Sequence, residues 1–197
     1  MLPVLPFLAL AALAATAPAT ERAEAAVAPG SRGKLYVVPG TSPVFGSGTV
    51  HRFVVEVEGG LRIDRVVFAA RVERILSRDR GWTKHGYGFR RVDSGRIDFR
   101  IALASRDLTD RLCYPLITNG IFSCYMNGRA VLNRWRWRVG ADSYGDDVRR
   151  YRIYMVNHEV GHALGYGHRS CPGAGRKAPV MMQQTKGVYP CVANPWP

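Results

Sequence analysis

Residues 158–168 read HEVGHALGYGH, and the rest of the chain is best read outward from them. Two histidines four apart on a helix project from the same face, so His158 and His162 can reach one metal ion. Glu159 points in a different direction from the first histidine. It cannot share that coordination but can reach a metal-bound water. Gly165 stands where the helix must end. A glycine there can adopt positive φ and turn the chain left-handed, which brings His168 back towards the other two imidazoles. Three neutral imidazoles leave the fourth position of a tetrahedral zinc ion open, whereas structural zinc sites are usually closed by four protein ligands. Three of the five histidines of the chain fall within this stretch, which argues against solvated surface histidines.

Upstream, Asp146 or Asp147 can cap a helix from Val148 to Leu164. Asp142, Asp146 and Asp147 could also bind calcium, but capping is the simpler reading. Lys34–Val38 and Thr49–Glu58 read as strands, the second by its alternation. Gly59-Gly60 ends it. Val66, Val67, Ala70, Ile75 and Leu76 recur at helical spacing between Asp64 and Arg78. Gly81–Gly88 reads as a loop and Arg96–Ala104 as a strand. Ser123–Asn133 centres on Asn127-Gly128, a strong hairpin signal. The RWRWR run, Arg134–Arg138, alternates as a half-buried strand would, with Trp135 and Trp137 inward; stacking on nucleic acid or gripping an anionic cell-wall polymer is the weaker reading. The element order predicts an α+β domain with a mixed sheet, followed by irregular chain.

The 197 residues carry 28 basic and 15 acidic side chains, a formal charge of +13, and only 4 of the basic residues are lysine. Hydrophobic residues at 47% and charged residues at 22% exclude wholesale disorder, collagen, a coiled coil and a polytopic membrane protein. Leu2–Ala15 is an apolar run followed by small residues, with A-x-A sites at residues 15–17 and 23–25. Residues 1–26 are expected to be a secretory signal peptide, although no basic residue precedes the run. An uncleaved N-terminal anchor is the alternative, and Pro3, Pro6 and Pro18 weigh against it. Residues 27–48 are expected as linker and first strand, and 49–197 as the zinc-site domain. A secreted or cell-surface location follows. The even count of four cysteines suits that compartment and allows three pairings of two disulfides.

The HExxHxxGxxH pattern, followed by the methionine-bearing APVMMQ segment at residues 178–183, resembles the metzincin clan of zinc endopeptidases. The CYMNGR hairpin and closing CVANPWP make the whole chain similar to a secreted actinobacterial family of metzincin type. The resemblance implies a twisted mixed β-sheet with a backing helix, an active-site helix and a small irregular C-terminal subdomain. It implies one catalytic Zn²⁺ on His158, His162 and His168, with Glu159 as general base. Met181, or nearly as well Met182, would form the Met-turn. It also implies that part of Arg129–Trp135 is the sheet edge lining the cleft. The snapalysins have a similarly short, disulfide-pinned tail but an aspartate third ligand. The tyrosine that follows the Met-turn in several metzincin families is replaced here by Gln183 and Gln184, and Tyr189 is the nearby substitute. A monomeric secreted endopeptidase with a protein or peptide substrate is expected. The alternative is a non-proteolytic zinc-containing surface module that binds anionic cell-wall polymer or nucleic acid. Specific nucleic-acid binding is not expected of the peptidase, although weak contact with wall polymer is. By locality, Cys113 should pair with Cys124 across a short loop. Cys171 should pair with Cys191, closing a ring around the Met-turn in a tail too poor in apolar residues to be held by packing alone.

Overall fold

Alternation along TVHRFVVEVE sends Phe53, Val55 and Val57 to one face of a strand and Val54, Glu56 and Glu58 to the other, and all six are buried. This strand, β2 (Thr49–Glu58), organises the sheet. The structure is a computed structural model and describes residues 27–197; the expected signal peptide lies outside the described residues. Among them, β1 (Leu35–Val37) pairs antiparallel with the end of β2, and β3 (Tyr87–Arg91) pairs parallel with its beginning. On the other edge of β2 the order continues through β4 (Phe99–Ala104), β6 (Arg129–Asn133) and β5 (Cys124–Met126). The β2–β4 and β4–β6 pairs are parallel and β5–β6 is antiparallel. The protein is therefore α+β with a mixed sheet of six strands.

Among the described residues four α-helices complete it: α1 (Arg65–Leu76), α2 (Arg106–Cys113), α3 (Arg134–Val139) and α4 (Val148–Ala163). Helices α1, α3 and α4 cover the face that carries Phe53, Ile101 and Leu132, with Phe68, Val72, Trp137, Tyr151 and Met155 filling the core. Helix α2 and the Cys113–Cys124 disulfide cover part of the other face, around Leu108 and Val131. Asp147 caps α4 by accepting from the Arg150 backbone N–H at 3.0 Å; capping is thus the role the structure gives this aspartate.

Several expectations need correction. In α1 the buried residues are Phe68, Ala69, Val72, Ile75 and Leu76, whereas Val66 and Val67 are 63% and 54% exposed. The Asp64 carboxylate caps the helix through Val66 N and Val67 N, which holds those two valines in the solvated first turn. Residues 87–91, at the end of the expected loop, form β3, and α2 was not anticipated. The RWRWR run is helix rather than strand. The Asn133 side chain accepts from Trp135 N at 2.9 Å and caps α3, and only Trp137 is fully buried, edge-on to Phe68. Residues 27–33 are part of the fold and not a free linker, since Ala28 is buried and exchanges backbone hydrogen bonds with Gly60 and Leu61.

The sheet edge differs most from expectation. Strand β6 is interior, flanked by β4 and β5. Asn127 and Gly128 both have positive φ, 50° and 73°, as a tight type I′ hairpin requires. They fold β5 back along the outside of β6, so β5 is the edge. The pairings Cys113–Cys124 and Cys171–Cys191 are as expected. The first staples the edge strand to α2. The Cys113→Ser/Cys124→Ser variant should lose about 2–4 kcal/mol of stability. Denaturant unfolding checks the loss, and amide exchange should locate the first opening in β5.

Candidate metal centre

Helix α4 carries His158 and Glu159 side by side and His162 one turn later. Its end follows from Gly165, which has φ 90°. Gly165 N donates to His162 O at 3.0 Å and Tyr166 N to Gly161 O at 2.9 Å. This is the Schellman arrangement, which satisfies the last helical carbonyls through a left-handed residue. The turn delivers His168 as expected. One nitrogen from each of His158, His162 and His168 lies within 4.8 Å of the others.

The protonation of the rings is dictated by backbone carbonyls. His158 Nδ1 lies 2.8 Å from Val180 O, and His162 Nδ1 lies 2.8 Å from Tyr166 O. A carbonyl only accepts, so each Nδ1 carries the proton and each Nε2 presents a lone pair. His162 Nε2 and His168 Nε2 approach to 3.2 Å, close to the roughly 3.4 Å edge of a tetrahedron with metal–nitrogen bonds of about 2.1 Å. Burial pushes the His158 imidazolium down to about 3, and His162 and His168 add to the effect. His162 and His168 are also shifted down, with burial the leading cause. Neutral imidazoles are the ligating form, so the donor set fits a borderline-soft divalent metal.

Glu159 is 5% exposed, and its Oε2 is buried without a hydrogen-bond partner. Burial pushes its carboxyl up to about 8. Native proteins rarely leave such an atom orphaned, and a cation or a positioned water would satisfy it.

The three histidines and Glu159 line a cleft of 460 Å³. One wall is β5 and the loop before it, with Ser123 and Tyr125; the other is the tail at Gln183 and Lys186. Leu116 and Ile117, 49% and 83% exposed, also border the cleft. Tyr189 is 93% exposed and does not line it, so Tyr189 does not stand in for the tyrosine that is absent after the methionine turn.

Three residues that position the site were not identified from the sequence. Gly161, the third residue between the two histidines, leaves room for the tail: a Cβ there would lie 2.3 Å from Met181 Sδ and 2.7 Å from Trp82 Cζ2. A glycine in the middle of a helix costs stability, and that cost was the available signal of a close approach. Met181 is buried at this contact and Met182 is only partly buried. Gln184, fully buried, is the second: its Oε1 accepts from Tyr144 OH and Asn194 N, while its Nε2 donates to Pro179 O and Asn194 O. Tyr166 is the third; its carbonyl orients His162, and its ring packs on Trp82 at 4.8 Å between centroids.

A family model described as "Protein of unknown function (DUF3152)" matches residues 22–197. The chain belongs to that family. No curated protein and no solved structure gives a significant match. The two disulfides suit an extracellular protein, and among the described residues no helix is long and apolar enough to cross a membrane.

Gly161→Ala should cost about 1–3 kcal/mol by overpacking. In a Met181→Ala background the cost should shrink without vanishing, because Trp82 remains close. Thermal unfolding of the four proteins of this cycle measures the coupling.

Proposed function

We propose that the protein is a secreted zinc-dependent endopeptidase of metzincin type. The observation that carries this reading is the convergence of one nitrogen from each of three imidazoles beside the orphaned carboxylate of Glu159, on the floor of an open cleft. His158, His162 and His168 would hold the ion. Zinc bound there supplies a Lewis acid and lowers the pKa of a coordinated water towards 7.

The remaining chemistry belongs to the chain. Glu159 is the general base: its free Oε2 accepts a proton from the attacking water and passes it to the leaving amine. Burial alone holds this carboxyl near 8, and a dication beside it would favour the charged form, the form that can accept a proton. Val180 O and Tyr166 O keep two ligating rings in the required tautomer through every step. Strand β5 offers an unpaired edge to an extended peptide, and such pairing gives backbone hydrogen bonds with little sequence preference. Support for a metzincin-like architecture comes from the mixed sheet whose antiparallel edge borders the cleft. It comes also from Met181 lying beneath the ligand-bearing helix, which favours Met181 over Met182 as the Met-turn residue.

Digestion of a quenched-peptide library, with and without a chelator, tests the reading. Cleavage should require one equivalent of zinc, and His168→Ala should weaken zinc retention. Glu159→Ala should keep zinc and fold while activity falls by about 10²–10⁴-fold. Undiminished cleavage by Glu159→Ala, or in excess chelator, would overturn the mechanism. No cleavage of any peptide by zinc-loaded protein would leave the non-proteolytic alternative.

The tail adds a redox prediction. The Cys171–Cys191 bridge closes a 20-residue separation around the segment that carries Val180 and Met181. Mild reduction should therefore release zinc before the sheet unfolds. Zinc-dye absorbance followed alongside far-UV circular dichroism separates the two events.

A further inference from the structure

Helices α1, α3 and α4 meet along a groove that shares no lining residue with the metal cleft. It consists of two adjoining pockets, of 190 and 280 Å³, with Arg71 and Arg152 lining both. Arg74 of α1, Arg149 of α4, and Arg134 and Arg138 of α3 also line it. The ion pairs among the described residues engage Arg91, Arg96, Arg100 and Arg129 and none of these six. The one carboxylate on the groove wall, Asp64, caps α1 with its Oδ1.

Gathering cations without counter-charges is unfavourable, and here it occurs with partial burial. Burial depresses the Arg152 guanidinium below its usual range, and Arg71 and Arg134 add to the effect. Arg134 is depressed by burial and by Arg138. Its Nε is buried without a hydrogen-bond partner.

Two of the forks are also held in place. Arg152 Nε donates to Trp137 O at 2.6 Å, and Arg134 Nη2 donates to Arg62 O at 2.9 Å. Arg80, at the far end, lies 4.3 Å over the Trp196 ring. Fixed guanidinium forks with unused donors match the oxygens of phosphate.

We propose that this groove binds an anionic polymer of phosphodiester-linked polyols, with the arginines of α1, α3 and α4 as its phosphate ligands. Two compartments sharing a cationic wall suit a repeating anion better than a single one. The concave shape suits a strand better than a flat lipid surface. A nucleic acid strand would also need aromatic faces on which to stack its bases. Trp137 is buried and Trp196 is covered by Arg80, so no such platform lines the groove. Within the groove the RWRWR run thus supplies cations and not stacking surfaces. This site is independent of the peptidase reading.

The experiment titrates the full chain with fluorescently labelled poly(glycerol phosphate), and in parallel with single-stranded DNA and anionic phosphatidylglycerol vesicles. The polymer should bind most tightly, and its affinity should fall by more than about tenfold between 50 and 200 mM salt. Arg71→Gln/Arg152→Gln should weaken binding by about tenfold or more. Arg74→Gln/Arg149→Gln, at exposed positions that leave the core intact, should do likewise. A charge-matched control, Arg96→Gln/Arg111→Gln, should change affinity by less than about threefold. Excess chelator and Glu159→Gln should leave polymer binding unchanged, so loss of peptidase activity and loss of binding are separate results. Equal weakening by control and groove variants, tighter binding of DNA or vesicles, or loss of binding in chelator would overturn the proposal.

Discussion

The rest of the site depends on one close approach. The tail of the chain passes directly beneath α4, with Met181 Sδ in the space that a side chain on Gly161 would fill. Only at that separation can Val180 O accept the proton of His158 Nδ1. At the end of the same helix, the left-handed turn at Gly165 lets Tyr166 N donate to Gly161 O and brings Tyr166 O to His162. His158 is therefore oriented by a carbonyl of the tail that Gly161 lets approach, and His162 by a carbonyl that the turn at Gly165 brings round.

That approach has to be held, because the tail contributes few large apolar side chains. Polar groups from α4 reach down to it instead. Tyr154 OH donates to Met182 O and accepts from Gln184 N, Tyr151 OH meets Thr185 Oγ1, and Asn157 Nδ2 donates to Pro195 O. Gln184 ties Tyr144, Pro179 and Asn194 together from within. A buried polar network rigidifies as its members are satisfied, and of the side-chain atoms in this one only Asn157 Oδ1 is buried without a partner. The Cys171–Cys191 bridge closes the segment from outside. Rigidity beneath the three histidines and openness above them coexist because the cleft is bounded on its far side by an edge strand, itself fastened by Cys113–Cys124.

The back of the sheet shows how the strongly basic chain accommodates buried charge. Glu56 is 5% exposed and receives both Arg100 and Arg129 at 2.8 Å. Glu58 accepts from Gly33 N and Ser105 N, joining the first loop to the start of α2. These carboxylates are consumed by structure, and the arginines between α1, α3 and α4 have no ion-pair partner among the described residues.

The sequence by itself determined what depends on neighbours along the chain. Helical spacing put His158 and His162 on one face, Gly165 ended the helix, Asn127-Gly128 made the hairpin, and sequence proximity paired the cysteines. Each of these is a local constraint of backbone geometry or chain length. Tertiary structure decided the remainder. Which strand forms the edge depended on the side of β6 to which the hairpin folded, a choice that alternation cannot encode because both strands of a hairpin carry it. The RWRWR run alternates as a strand would, yet Asn133 caps it as a helix and Phe68 receives Trp137. The phase of α1 was misread because its first turn is solvated by capping rather than by polarity. The roles of Gly161 and Gln184 exist only where distant segments touch. A side chain's value there is set by the space and partners left for it, and those are properties of the assembled fold.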